Sequence, residues 1–130
     1  SSNKNKKIQK HFPANYFIGK SGNPIDFVGA SHGATSSDYD FIIKQFYDEK
    51  NIDIIMPWFA FQDNPLDENI VKILVNFSKK KKKPILVGCI GGSYTKKISK
   101  IIEEYQIPVY NDIRIWLRAA LALYRVGRFL

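Results

Sequence analysis

The feature that most constrains the fold is the stretch from Pro84 to Ser93, which reads PILVGCIGGS. It opens with an apolar run of strand length, closes with two glycines and a hydroxyl, and is followed by a segment with the apolar period of a helix. This order is typical of a buried strand in a parallel sheet that feeds directly into a helix. The sequence therefore predicts an α/β protein built on a central parallel sheet.

The turn between this predicted strand and its helix is formed by Gly91 and Gly92, with Ser93 directly after them. Paired glycines allow a tight turn and leave the first N–H groups of a helix uncovered, where the helix dipole favours an anion. Two interpretations are open at this point. The turn is either a site for phosphate or carboxylate, or a plain strand-to-helix turn that needs glycine only for a positive φ.

The alternation of apolar run and helical segment recurs along the chain, with predicted strands starting near residues 27, 52, 85 and 108. The helices after the second and third strands carry apolar residues at i, i+3, i+4 and i+7. These residues are Ile70, Ile73, Leu74 and Phe77 in the first case, and Ile98, Ile101, Ile102 and Tyr105 in the second. The spacing predicts an open, parallel, doubly wound sheet with about four βα units.

Capping residues predict where the helices after the first, second and fourth strands begin. The candidates are Ser36 or Ser37, then Asn64 with Pro65 at the first helical position, and finally Asn111 or Asp112. Residues 1–21 show no clean period and contain several helix breakers, so they are predicted to be an irregular lead-in. Residues 22–130 are predicted to form one α/β domain.

The net charge of +8 raises the possibility of a nucleic-acid partner. Much of the excess lies in two places, the lysines between residues 4 and 10 and the unbroken run from Lys79 to Lys83. Neither has the interleaved aromatic residues or the zinc-ligand spacing that accompany nucleic-acid recognition. A solvated basic edge is therefore the preferred interpretation, and a nucleic-acid adaptor is the weaker alternative.

The single cysteine, Cys89, lies inside a predicted strand, so disulfides and thiolate metal sites within the chain are excluded. No apolar run approaches the roughly 20 residues of a membrane helix, and the polar N-terminal residues lack a signal-peptide core. A chain with this cysteine usage is expected in a reducing compartment. The predicted location is the cytoplasm, with no membrane partner.

Ligands of doubly wound sheets bind beyond the carboxyl ends of the strands, here residues 30–36, 60–64 and 91–93. His32 could act there as a general base or accept a phosphoryl group, but no acidic residue obviously orients it, and a mobile surface turn explains it as well. Asp26, Asp53 and Asp63 are scattered over separate loops or strands, and each is more typical of a cap or turn than of a carboxylate pair. A Walker loop, a nucleophile elbow and a dinucleotide fingerprint are all absent. No catalytic set and no metal site are predicted within the chain.

Several short segments occur in a characteristic order over about residues 20 to 127. They are Gly22–Asp26, Asp53–Met56, Lys83–Val87 followed by Gly91 and Gly92, the segment Gln106–Tyr110 with a Gly-like Gln106, and Arg118–Ala122 in the last helix. In their order and spacing the chain resembles the ligase-CoA domain of NDP-forming acyl-CoA synthetases. That family includes ADP-forming acetyl-CoA synthetase and, more distantly, succinyl-CoA synthetase. The resemblance implies a flavodoxin-like fold.

The resemblance also implies a function in converting acyl-CoA, ADP and phosphate to acid, CoA and ATP through a phosphohistidine. This chain would be the second ligase domain, inactive alone, and the histidine would belong to the other ligase domain. ATP or ADP, Mg²⁺ and CoA would be bound by partner domains, including a CoA-binding domain and an ATP-grasp module. Members usually carry a glycine-rich βα unit before Asn23, so residues 1–20 are expected to be the tail of a truncated unit.

In that family the helix that follows the second strand of each ligase domain points its N-terminus at the phosphohistidine. The phosphohistidine-facing residues that the resemblance implies here are Gln62, Asp63 and Asn64. Gly91, Gly92 and Ser93 are predicted to face phosphate as well, because they form the uncovered helix start described above. The alternative function is a stand-alone flavodoxin-like module that uses Gly91 and Gly92 to hold a small anion or a protein partner.

Overall fold

The computed structural model describes residues 2–12, 23–26, 35–61 and 66–127. Within these ranges the chain forms a mixed α/β structure with five helices and three strands. In chain order they are α1 (Ser2–His11), α2 (Ser36–Tyr47), β1 (Trp58–Ala60), α3 (Asn69–Lys79), β2 (Val87–Ile90), α4 (Ser93–Glu104), β3 (Val109–Tyr110) and α5 (Ile113–Gly127). The strand predicted near residue 27 lies outside the described residues.

The three strands form an open parallel sheet in the order β1-β2-β3. Trp58 lies opposite Gly88 in the first pair, and Gly88 lies opposite Tyr110 in the second. A parallel bridge between Ile55 and Ile85 extends the first pairing toward the start of the strands. The predicted parallel α/β sheet is thus confirmed for these three strands.

Side chains that alternate along the strands point to opposite faces of the sheet, and each face is covered by helices. Val87 and Cys89 lie in a large core cluster with residues of α2, α3 and α4, whereas Leu86 packs with Trp116 and Ala120 of α5. The completely buried members of the larger cluster include Phe59, Ile70, Leu74, Val87, Ile98 and Ile102. Helices on both faces make the sheet doubly wound, as the sequence predicted.

The cap of α2 lies one residue before the two predicted candidates. Thr35, not Ser36 or Ser37, caps α2: its hydroxyl accepts the backbone N–H of Asp38 at 3.2 Å, and the Asp38 carboxylate accepts the N–H of Thr35 at 2.9 Å. This reciprocal pair is a capping box, which needs a hydroxyl three residues before the acid. Ser36 is buried and donates instead to Asp67 at 2.6 Å.

The predicted start of the helix after the second strand was also wrong, because α3 begins at Asn69. Asn64 and Pro65 lie outside the described residues. The Asp67 carboxylate accepts the backbone N–H of Asn69 at 3.1 Å, and its bond from Ser36 ties this helix start to that of α2. That bond lowers the pKa of Asp67. An interaction between residues 31 positions apart carries no local sequence signal.

Residues 2–11 form helix α1, so the prediction of an irregular segment is wrong for them. Ile8 and Phe12, four residues apart, are buried against Ile42 of α2. His11 stacks on Phe41 with ring centroids 3.9 Å apart. Two apolar residues give almost no periodic signal, so this helix was visible only through its packing. The division into a lead-in and a domain stays a prediction.

The lysine run Lys79–Lys83 begins in the last turn of α3 and makes specific contacts. The ammonium of Lys80 lies 4.5 Å from the ring centroid of Phe77. Lys83 donates to the carbonyl of Phe46 at 3.2 Å, at the end of α2. Part of the run therefore joins the ends of α2 and α3. No described helix is long and apolar enough to cross a membrane.

Candidate functional site

The carboxyl edge of the sheet is the place where a parallel α/β structure binds its ligands. The described parts of this edge are the ends of β1 at Ala60, of β2 at Ile90 and of β3 at Tyr110. Because β2 is the middle strand, the turn that follows it lies between the other two ends. The candidate site is therefore built around residues 91–93.

The turn after β2 has the glycine geometry that the sequence predicted. Gly91 has a φ of 150°, in the region that side-chain-bearing residues rarely adopt. Gly92 is the N-cap of α4 in an extended conformation and provides no side-chain cap, while its carbonyl accepts the N–H of Lys96 at 3.1 Å. Gly91, Gly92 and Ser93 are all exposed. The α4 N-terminus is thus presented to solvent at the middle of the sheet edge.

Hydrogen bonds beneath the turn hold α4 against β2. Thr95 is buried and its hydroxyl donates to the carbonyl of Ile90 at 3.5 Å. The hydroxyl of Ser99 donates to the carbonyl of Thr95 at 2.8 Å and lies 3.0 Å from the sulfur of Cys89. These bonds anchor the first turns of α4 to β2, so the position of the turn is fixed relative to the sheet.

Cys89 is buried directly under the helix, and it is the one thiol of the chain. Burial raises the pKa of this thiol, its hydrogen bond with Ser99 lowers it in part, and the charge of Glu103 raises it further. The thiol therefore stays protonated at neutral pH, and a protonated buried thiol is a poor nucleophile. Its contribution is to packing.

The charged side chains in the first five residues of α4 are all lysines. Its first turn contains no acid, and Lys96 and Lys97 follow Ser93 within the first five helical residues. Lys97 lies 3.3 Å from Glu68, just before α3, whereas Lys96 forms no ion pair with any described residue. A helix N-terminus with an added lysine favours an anion.

The edge at β3 has a different character because its charges are already paired. Asp112 accepts the backbone N–H of Arg114 at 2.8 Å, as one of the two predicted caps, and its second oxygen accepts the guanidinium at 2.8 Å. These bonds lower the pKa of Asp112 to about 2 and raise the pKa of Arg114. A carboxylate of such low pKa is a cap and not a general base.

Only part of the predicted site falls on described residues. Gln62, Asp63, Asn64 and His32 lie outside them, so their roles remain predictions. The described members Gly91, Gly92 and Ser93 lie together at the start of α4. Asp26 and Asp53 are exposed. Among the described residues, no three His, Cys, Asp or Glu side chains gather into a group that could hold a metal ion.

Two residues beside the turn were not singled out from the sequence. Ile90, the last residue of β2, is 58% exposed, and Tyr94 is 40% exposed. They give the positively charged helix start an apolar border. Ile90 looks like any buried strand residue in the sequence, and only its position at the end of the strand exposes it.

No protein-family model matches this sequence. The resemblance to the ligase-CoA domain therefore rests on the five segments quoted above, on their order and on their spacing. Those segments, together with the geometry of the turn at residues 91–93, are the basis for a functional proposal.

Proposed function

We propose that this chain is a domain of an ADP-forming acyl-CoA synthetase, similar to the second ligase domain. It has the four-unit flavodoxin-like fold of that domain and works in the conversion of acyl-CoA, ADP and phosphate to acid, CoA and ATP. The observation that carries the proposal is the exposed start of α4 at residues 91–93, which has no side-chain cap and lies at the carboxyl edge of a parallel sheet. The resemblance to the ligase-CoA domain supplies the reaction, and the glycine turn supplies a place where a helix N-terminus can face phosphate.

In this function the chain stabilises a phosphoryl group and supplies no nucleophile. Backbone N–H groups at the start of α4, with Lys96 nearby, oppose the negative charge of phosphate. The absence of a side chain at Gly92 lets the phosphate approach the backbone closely. Gln62, Asp63 and Asn64 face the phosphohistidine from the second loop, and the partner domains supply the histidine, the nucleotide with Mg²⁺, and CoA.

The proposal is tested by placing a negative charge at the helix start with Ser93→Asp. Ser93 is exposed and is the first residue of α4, where an acid stabilises the helix dipole. The same charge repels a phosphate. In the complete synthetase with its ATP-grasp partner, we expect ATP formation from acetyl-CoA, ADP and phosphate to fall about tenfold or more. The thermal midpoint should stay equal or rise.

The matched control is Asn76→Asp, which makes the same charge change on the exposed side of α3. It should leave ATP formation unchanged. Equal activity of Ser93→Asp and the control would contradict a phosphate-facing role for this turn. A different result would support the stand-alone binding module. In that case the assembly forms no ATP from acyl-CoA, but the chain binds phosphate or a protein, and Ser93→Asp abolishes this binding.

A further inference from the structure

Helix α5 leaves apolar side chains on both flanks in contact with solvent, and three of them form a row on the flank that carries Leu117. Ile113, Leu117 and Leu121, spaced four residues apart, are 54%, 54% and 48% exposed. Only Trp116 and Ala120 of this helix are buried, against the sheet. At 3.6 residues per turn, the flank is rotated from the buried stripe by about a quarter to a third of a turn. It therefore points sideways along the sheet, where a neighbouring helix would lie.

An open groove of about 310 Å³ runs beside this flank. Leu121 and Ala120 line one side, and Ile52 and Ile54 line the other, on the segment that leads into β1. Asp53, which is exposed, lies at the same wall and is the acidic group of the groove. The groove is thus apolar at Ile52, Ile54 and Leu121, and polar at Asn23 and Asn51.

The outer side of α5 is positively charged. Arg114, Arg118 and Arg125 lie within about 20° of the direction opposite to Trp116, and α5 contains no acidic residue. Arg114 is paired with Asp112 at 2.8 Å, whereas Arg118 and Arg125 form no ion pair with any described residue. An apolar flank bordered by two unpaired arginines calls for an apolar partner with acidic borders.

We infer that the groove between α5 and the segment leading into β1 binds an amphipathic helix of another protein or domain, with acidic residues on the side of its apolar stripe that faces α5, away from Asp53. Apolar side chains of that helix cover Leu117 and Leu121, and its carboxylates face Arg118 and Arg125. This inference does not depend on the acyl-CoA synthetase function, because α5 packs on the face of the sheet opposite to α4 and its N-terminal turn.

Two other occupants fit the charges less well. A membrane-surface helix presents its apolar face outward with cations at the flanks, but here the outermost side chains are arginines and the apolar residues are lateral. A second copy of this chain would bring the same arginines together without an acidic counterpart on α5. Both alternatives are outcomes of the test described next.

The test uses the full chain and a synthetic helical peptide of about 18 residues with leucines at i, i+3, i+4 and i+7 and glutamates beside them. The chain has two tryptophans, Trp58 and Trp116, whose ring centroids are 5.1 Å apart on the α5 face of the sheet. With a tryptophan-free peptide, their fluorescence reports on this face directly. We expect a saturable change on titration.

Leu117→Asp should weaken peptide binding about tenfold or more, because a charge then enters an apolar contact. Ile115→Asp is the matched control, since Ile115 is 53% exposed but lies on the opposite flank of α5. It should change the affinity less than about twofold, while both variants keep the thermal midpoint of the parent because both sites are exposed. Equal weakening by the two variants would overturn the inference.

The charge preference is tested with Arg118→Glu/Arg125→Glu and a second peptide in which lysines replace the glutamates. The variant should lose affinity for the glutamate peptide and gain it for the lysine peptide. Equal binding of both peptides to the parent, or no saturable binding of either, overturns the inference. The inference is also overturned if the peptide does not bind, while the chain self-associates or binds anionic phosphatidylserine vesicles and Leu117→Asp abolishes that interaction.

Discussion

The two faces of the sheet are covered to very different extents, although helices of the same kind lie on both. On α4 the apolar residues Ile98 and Ile102 are completely buried. On α5 only Trp116 and Ala120 are buried against the sheet, while Leu117 and Leu121 beside them are about half exposed. Both helices follow a strand of the same sheet and both have a strongly one-sided apolar pattern.

The difference lies in the number of neighbours. Helix α4 packs beside α3, which packs beside α2, and the three share one continuous cluster over the sheet. Among the described residues, α5 packs against β2 and β3 and is held by a few groups, including the bond from the Trp116 indole N–H to the carbonyl of Leu86 at 2.8 Å. An amphipathic pattern thus shows which side of a helix is apolar, but the neighbouring elements decide how much of that side is buried.

The largest predicted contrast between the faces comes from truncating a leucine on each. Leu74→Ala, at a completely buried position of α3, should lower the free energy of unfolding by about 2–5 kcal/mol. Leu121→Ala, on the exposed flank of α5, should change it by no more than about 0.5 kcal/mol. Urea denaturation followed by circular dichroism measures both. A similar loss in both variants would mean that the α5 flank is covered in the folded chain.

A second prediction concerns the close contact that shapes the α5 face. A Cβ on Gly88 would lie 2.6 Å from Cζ3 of Trp58 and nearer still to its Cε3. Gly88→Ala should therefore lower the free energy of unfolding by about 1–3 kcal/mol, because the indole must leave its place over the strand.

The control for this contact is a double-mutant cycle with Trp58→Ala, measured by the same urea denaturation. In the double variant the added methyl group no longer meets an indole. The Gly88→Ala penalty should therefore be much smaller in the Trp58→Ala background than in the parent. An equal penalty in both backgrounds would place the cost in the strand backbone and not in the contact with Trp58.

The smallest predicted effect is at the start of α5. The side-chain bond from Arg114 lowers the folded-state pKa of Asp112 to about 2, against an ordinary value of 3.8. The contribution of this cap is thus fully present above pH 3.8 and is lost as the pH falls toward about 2. A carboxyl NMR titration should give the low midpoint for Asp112. In Arg114→Gln the midpoint should move toward the ordinary value, and if it does not, the arginine is not the cause.

The unit formed by β2 and α4 was predictable because each of its signals is local. The apolar run, the two glycines and the i, i+3, i+4, i+7 spacing all occur between Ile85 and Tyr105, and the structure has a strand at Val87–Ile90 and a helix from Ser93. The positive φ at Gly91 follows from the same stretch.

The candidate site was likewise predictable only where its signals are local in the sequence. The position of the turn at residues 91–93 followed from the sequence, whereas the exposure of Ile90 beside it did not. The start of α3 was missed because the Ser36–Asp67 bond that fixes it joins residues distant in the chain. The helix α1 was missed because it depends on two apolar residues and on α2 as their partner.

The sequence by itself determined the alternation of strands and helices, the parallel class of the sheet and the glycine turn at its middle strand. These features follow from short-range periodicity and from backbone preferences, which act within a few residues. The tertiary structure alone decided that Gly88 makes room for Trp58 and that α5 keeps an exposed flank. Both depend on which elements come to lie beside each other, and burial is a property of that arrangement, not of any one segment.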